Sequence, residues 1–160
     1  GEISDVLYEG FGPGGISILV EGATDNKNRT TQEIKKIFER CGGTMGAQGS
    51  VAFQFERVGQ IFVEKGDNPE ERELQLMDLE VEDVTEVDDG IEIYTKPEEL
   101  ASIGDRVQGL GIEVKEKELV YRPKNMMVLE ESDPNTSKAI KLLETLDEND
   151  DVQKVYTNLS

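Results

Sequence analysis

An α+β fold is predicted: two α+β domains, with a ferredoxin-like βαββαβ domain inserted into a discontinuous α+β domain. Three observations predict it. Residues 57 to 122 read as β-α-β-β-α-β, the order of two split βαβ halves. Two strands and a helix precede that block. A helix and a strand follow it and have no sheet of their own. The apolar stripe of this last helix is most simply buried on the first helix and the first two strands. The domains are therefore expected at 1–56 plus 124–160 and at 57–123. A chain of 160 residues is long enough for this; it can bury roughly 70% of its unfolded surface.

The first strand is expected at 3–9, through Ile3, Val6, Leu7 and Tyr8, and the second at 16–23. Between them Gly10, Gly12 and Gly15 stand in the spacing of a dinucleotide fingerprint. That fingerprint needs a strand entering and a helix leaving the loop. Here the β-branched run Ile16-Ser17-Ile18-Leu19-Val20 follows, and Pro13 lacks an N–H. Gly10, Gly12, Pro13, Gly14 and Gly15 therefore read as a connection between two strands. Their ordinary role is a turn needing positive φ; their functional alternative is a contact edge beside Arg29.

The first helix is expected over 31–41, with Thr30 and Glu33 as a capping box. Ile34, Ile37, Phe38 and Cys41 form one apolar stripe, and Gly42-Gly43 ends it. A glycine-broken loop over 43–50 follows, then alternation from Val51 to Phe55 and a strand over 57–65. Asn68-Pro69 opens a helix over about 69–79, with Leu74, Met77 and Leu76 inward. Strands at 83–88 and 91–95 are joined by Asp88-Asp89-Gly90, a hairpin signal. Thr95 and Glu98 form a second capping box for a helix carrying Leu100, Ile103, Val107 and Leu110, ended by Gly109 and Gly111, before a strand over 112–121. After Pro123 come Met126 to Leu129, a helix capped by Asp133 with Pro134 at its first position, and a strand over 152–157. The start at Gly1, on the approach to a strand, reads as that of a fragment of a longer protein or a trimmed tag scar.

The net charge is −18, from 35 acidic and 17 basic residues, and there is no histidine. A histidine base, a Ser-His-Asp arrangement and a His-ligated metal are thereby excluded. The single cysteine, Cys41, sits on an apolar stripe near a helix C-terminus, reads as a core residue and suits a reducing cytoplasm. No run approaches the ~18 apolar residues of a membrane span, and no cofactor is called for. Asp147, Asn149 and Asp151 imitate the first ligands of a calcium loop. Val152 stands where glycine is needed and Asn158 where glutamate is, so an acidic turn is the better reading.

The cations are less evenly spread. Lys27, Arg29, Lys35, Lys36 and Arg40 place five of 17 within fourteen residues. Lys35, Lys36 and Arg40 lie opposite Ile34, Ile37 and Phe38. Arg29 before the expected cap would let a phosphate also use the helix N–H groups. The candidate nucleic-acid contacts are therefore Lys27, Asn28, Arg29, Thr30, Lys35, Lys36 and Arg40. The alternative is a solvated helix face tempered by Glu33 and Glu39.

Tyr8-Glu9-Gly10-Phe11-Gly12-Pro13-Gly14-Gly15, Thr24-Asp25-Asn26-Lys27-Asn28-Arg29-Thr30 and Gly42-Gly43 through Gly49-Ser50-Val51-Ala52-Phe53 resemble, in order and spacing, motifs of the YebC/PmpR family. Asp151 to Asn158 resembles that family's terminus. The resemblance covers essentially the whole chain and identifies it with the family's second and third domains. It implies a ferredoxin-like third domain inserted in the second, and a basic helical domain preceding both. It also implies a cytoplasmic bacterial regulator of transcription that binds DNA, with no catalytic constellation and no cofactor. Related proteins act in translation, including the mitochondrial translational activator of cytochrome c oxidase and bacterial members that help ribosomes stalled on proline runs. A DNA or an RNA/ribosome partner is therefore expected through the full-length protein. The acidic run Glu80, Glu82, Asp83, Glu86, Asp88, Asp89 and Glu92 offers a separate face for a basic protein partner.

Overall fold

The computed structural model describes all 160 residues as two compact units, 1–56 with 122–160 and 57–121. The first unit carries a four-stranded antiparallel sheet. Strands β1 (Ser4–Phe11) and β2 (Ser17–Thr24) are its centre, with Ser4 opposite Thr24 and Phe11 opposite Ser17. The short β3 (Thr44–Gly46) lies outside β1, and β8 (Val152–Thr157) lies outside β2. Ile18 and Val20 of β2 face α1 (Lys27–Arg40) and α4 (Pro134–Asp147), while Leu19, on the other face, is also fully buried. Burial on both faces explains why β2 reads as a continuous apolar run instead of an alternating one.

The glycine run joins two strands through a tight 3-10 turn at Pro13–Gly15. Gly14 and Gly15 take φ of 80° and 85°, where a Cβ is strained. Two of the loop's amides close the hairpin: Gly12 N–H donates to Ile16 O at 2.9 Å and Gly15 N–H to Gly12 O at 3.0 Å. Neither can then receive a phosphate.

Helix α1 starts a turn earlier than the capping-box reading placed it. Its cap is Asn26, whose side chain accepts from Arg29 N–H at 3.1 Å; Thr30 lies inside the helix. The C-terminal end is a Schellman arrangement. Gly43 N–H reaches Phe38 O at 2.7 Å and Gly42 N–H reaches Glu39 O at 3.3 Å, with Gly42 at φ 85°. The loop expected over 43–50 contains β3, and the alternation from Val51 forms a 3-10 turn over Ala52–Gln54. In α4, Asp133 caps by accepting from Asn135 N–H at 2.8 Å, and Ala139, Leu142 and Leu146 are buried against Ile34, Ile37 and Phe38. Asn158 clasps the returning chain: its side-chain oxygen accepts from Ser17 N–H at 2.8 Å and its carbonyl from Met127 N–H at 2.6 Å.

The second unit holds β4 (Phe55–Val63), α2 (Pro69–Met77), β5 (Asp83–Val87), β6 (Gly90–Thr95), α3 (Leu100–Gly109) and β7 (Glu116–Pro123). Its sheet order is β5-β6-β4-β7, the ferredoxin-like arrangement. Ile61, Val63, Ile91 and Ile93 meet Leu76, Leu79, Ile103, Val107 and Ile112 in one core. Three details differ from the sequence expectation. Leu74 and Met77 are 65% and 59% exposed, because the inward face of α2 is set by Leu76 and, beyond its end, Leu79. The Thr95–Glu98 capping box does not form: Thr95 donates to Lys96 O, and a 3-10 turn over Pro97–Glu99 leads into α3. Leu110 is exposed, and the last strand starts at Glu116. Gly90 serves packing, not turn geometry, since a Cβ there would stand 2.4 Å from the Phe62 ring. No helix is long and apolar enough to cross a membrane.

Candidate nucleic-acid interface

Burial of Ile34, Ile37 and Phe38 fixes the rotation of α1, and with it which side chains face water. Lys27, Asn28, Lys35, Lys36 and Arg40 are exposed. Lys35, Lys36 and Arg40 form no ion pair. Three cations on one open face are thus available to an anion.

Arg29 and Thr30 are placed differently. The Arg29 guanidinium lies 3.0 Å from Asp151 Oδ2, 3.6 Å from Asp25 Oδ1 and 3.8 Å from Glu33 Oε2. Three carboxylates around one cation leave little field for a phosphate. Thr30 is 1% exposed, and its hydroxyl stands 2.8 Å from both Thr24 Oγ1 and Asp151 Oδ2. These two residues tie α1 to the turn before β8. The Asp151 that imitated a calcium ligand is the hub of this network. Asn149 belongs to it as well, accepting from Asp151 N–H and donating to Glu33 Oε1 at 3.3 Å.

The hydroxyl of Thr30 and the guanidinium of Arg29 hold the Asp151 carboxyl below its ordinary value. A depressed carboxyl contributes stability above its unfolded pKa of about 3.9 and loses it as pH falls through the folded value. Asp151→Asn is therefore expected to be less stable than wild type at neutral pH. The gap should close once the wild-type carboxyl protonates. Thermal melts from pH 7 down to about pH 2 check this; a constant gap would sink it.

Two features of the unit leave no signal in the local sequence. Glu9 is 4% exposed, and its carboxylate accepts three backbone N–H groups: Gly49 at 2.7 Å, Val51 at 2.9 Å and Ala52 at 2.7 Å. Burial alone would raise its pKa, but the three N–H bonds outweigh burial and hold it below the ordinary glutamate value. Beside β1 lies a cleft of about 520 Å³ bounded by Leu7, Glu9, Lys27, Gln48 and Gly49. The second such feature is a groove of about 730 Å³ at the C-terminal end of α1, lined by Arg40, Cys41, Gly42, Ser137, Lys138 and Lys141. Lys138 and Lys141, at i and i+3 on α4, add two exposed cations that no local run of charge reveals. Cys41 is half-buried at the helix end, between core and groove.

A family model described as the TACO1/YebC second and third domain matches residues 3–159. The chain belongs to this family. A probable transcriptional regulatory protein of Caldanaerobacter subterraneus subsp. tengcongensis is 42% identical over 160 residues, 99% of this chain and 65% of that one. A relative of the same description from Thermoanaerobacter pseudethanolicus is 42% identical over 159 residues, 98% of this chain and 64% of that one. The crystal structure of a conserved hypothetical protein from Aquifex aeolicus superposes with a TM-score of 0.93 at 37% identity, covering 100% of this chain and 66% of that one. The chain thus spans just under two thirds of the length of these relatives.

Proposed function

We propose that the protein is a regulator of transcription that docks on the phosphate backbone of duplex DNA through the outer face of α1 and transforms no substrate. One observation carries the reading. In a chain of net charge −18, Lys35, Lys36 and Arg40 remain exposed and without carboxylate partners on a single helix face. The names of the relatives, probable transcriptional regulatory proteins, support it. The overall charge repels DNA at long range. A Debye length of about 8 Å at physiological salt nevertheless lets a local patch act by itself. Phosphate contacts of this kind fix position and orientation and carry no base sequence. The histidine-free composition supports the non-enzymatic half of the proposal.

The test is a gel-shift salt series on the full-length protein with a duplex DNA of mixed sequence. Lys35→Glu with Lys36→Glu is expected to weaken binding at least tenfold. It should also flatten the dependence of affinity on salt by about two units of slope, about 0.9 for each lost phosphate contact. Unchanged affinity and slope would overturn the reading. So would a full-length protein that sediments with ribosomes and ignores DNA, a result that puts a ribosome-bound translation factor in its place.

A further inference from the structure

We infer that the groove between the end of α1 and the first turns of α4 is a phosphate-binding seat, with Arg40, Lys138 and Lys141 as its ligands. It goes beyond the reading of the outer face of α1, because two of the three cations belong to another helix and the ligand class is phosphate itself. Acidic residues outnumber basic ones 35 to 17 in this chain, yet three of the six residues lining the groove are cations and none is a carboxylate. Arg40 is about a hundred residues from Lys138 and Lys141 in sequence, so the α1–α4 packing brings the three together. None of the three is held in an ion pair. The groove has room for a phosphate-bearing group, at about 730 Å³.

The chemistry of the lining narrows what it can recognise. The N–H groups of Cys41, Gly42 and Gly43 all donate inward, to Ile37 O, Glu39 O and Phe38 O. The Ser137 hydroxyl donates to Pro134 O at 3.2 Å. Recognition therefore falls to the two ammonium groups and the guanidinium fork, which grip oxyanions and read no base edge. The phosphate can come from a nucleic-acid backbone or from a free phosphorylated small molecule.

The experiment is an amide NMR titration of the full-length protein with three probes: inorganic phosphate, a mononucleotide and a short DNA duplex, against sodium chloride at matched ionic strength. Cys41, Gly42 and Ser137 amides are expected to shift with a phosphate-bearing probe and not with chloride. Lys138→Glu with Lys141→Glu should reduce that response at least tenfold. A response to the duplex alone assigns the backbone as the source; a response to all three assigns phosphate in general. Groove amides that respond to chloride as to phosphate, or a response that survives the double substitution, overturn the seat. The two proposals separate cleanly. If Lys35→Glu with Lys36→Glu abolishes duplex binding while the wild-type groove amides respond to none of the three probes beyond chloride, the outer face stands and the seat falls. If the groove responds to phosphate and no duplex binds, the reverse holds.

Discussion

Glu9→Ala is expected to destabilise the first unit by about 3–5 kcal/mol. Three backbone donors converge on this one carboxylate, and a buried donor left without a partner costs about 1–3 kcal/mol. Glu9→Gln is the milder case. Its amide oxygen can keep the two donors at Oε1, Val51 and Ala52 N–H, but its NH2 then meets the Gly49 N–H, so a loss of about 2 kcal/mol is expected. The damage should be local before it is global. Hydrogen exchange at the Gly49, Val51 and Ala52 amides should accelerate in both variants, with the amides of α4 much less affected. The sign of the pH dependence follows from the depressed carboxyl. The contribution is fully present above the unfolded glutamate pKa of about 4.3 and fades as pH falls through the folded value. The Glu9→Gln difference should therefore be largest near neutrality and shrink in acid. Unchanged exchange at those three amides would mean that the loop is held by something else.

The same carboxylate shows where local patterns stop informing. Strand alternation puts Glu9 on the face of β1 shared with Asp5, Leu7 and Phe11, all three exposed, so nothing in the strand itself marks Glu9 for burial. Its partners, however, lie 40 to 43 residues downstream, at the end of the glycine-broken loop and the start of the segment from Val51. Thr30 is a parallel case. The pattern Thr-x-x-Glu points to Thr30 as the cap, whereas the structure uses Asn26, a residue type equally suited to capping. What decides between them is Asp151, 121 residues away, which takes the Thr30 hydroxyl. Strand β3 has only three residues and no β-branched run; it exists because the Glu9–Phe11 edge of β1 offers it a partner. By contrast, α1 and α4 were legible because their cores repeat at i, i+3 and i+4, and the glycine hairpin because Ile16–Val20 forbids a helix after it. Of the site, contiguous charge revealed Lys35, Lys36 and Arg40. Lys138 and Lys141 stayed hidden because only the packing of α4 on α1 places them beside Arg40.

Gly10→Val is expected to be the most damaging single change in the glycine run, and the reason separates this glycine from its neighbours. Gly10 lies in β1 with φ outside the left-handed region, so its backbone suits any residue. On conformational grounds alone, replacing a strand glycine would gain about 0.5–1 kcal/mol. Space decides otherwise. A Cβ would stand 2.6 Å from the Phe38 ring and 2.7 Å from Thr44 O. Phe38 is fully buried at the centre of the core and β3 is hydrogen-bonded to β1 at this point, so neither yields freely. Overpacking costs of about 1–3 kcal/mol are typical, and against backbone the upper end applies. Gly10→Ala should lose about 2 kcal/mol net and Gly10→Val more. At about 2–4 °C per kcal/mol for a chain of this size, the valine variant should melt about 10 °C lower. Gly15 supplies the control. A Cβ there meets only Met127 Cε at 4.0 Å, so Gly15→Ala pays for its φ of 85° and little else, about 1 kcal/mol. Combining Gly10→Ala with Phe38→Leu relieves the ring contact and leaves the carbonyl contact. The pair should thus be less destabilised than the sum of its single changes, by about 1 kcal/mol. Strict additivity would show that Phe38 is not what excludes a side chain at position 10. A Gly10→Ala variant as stable as wild type would show that nothing does, and the glycine run would have to be explained by what it touches outside the fold.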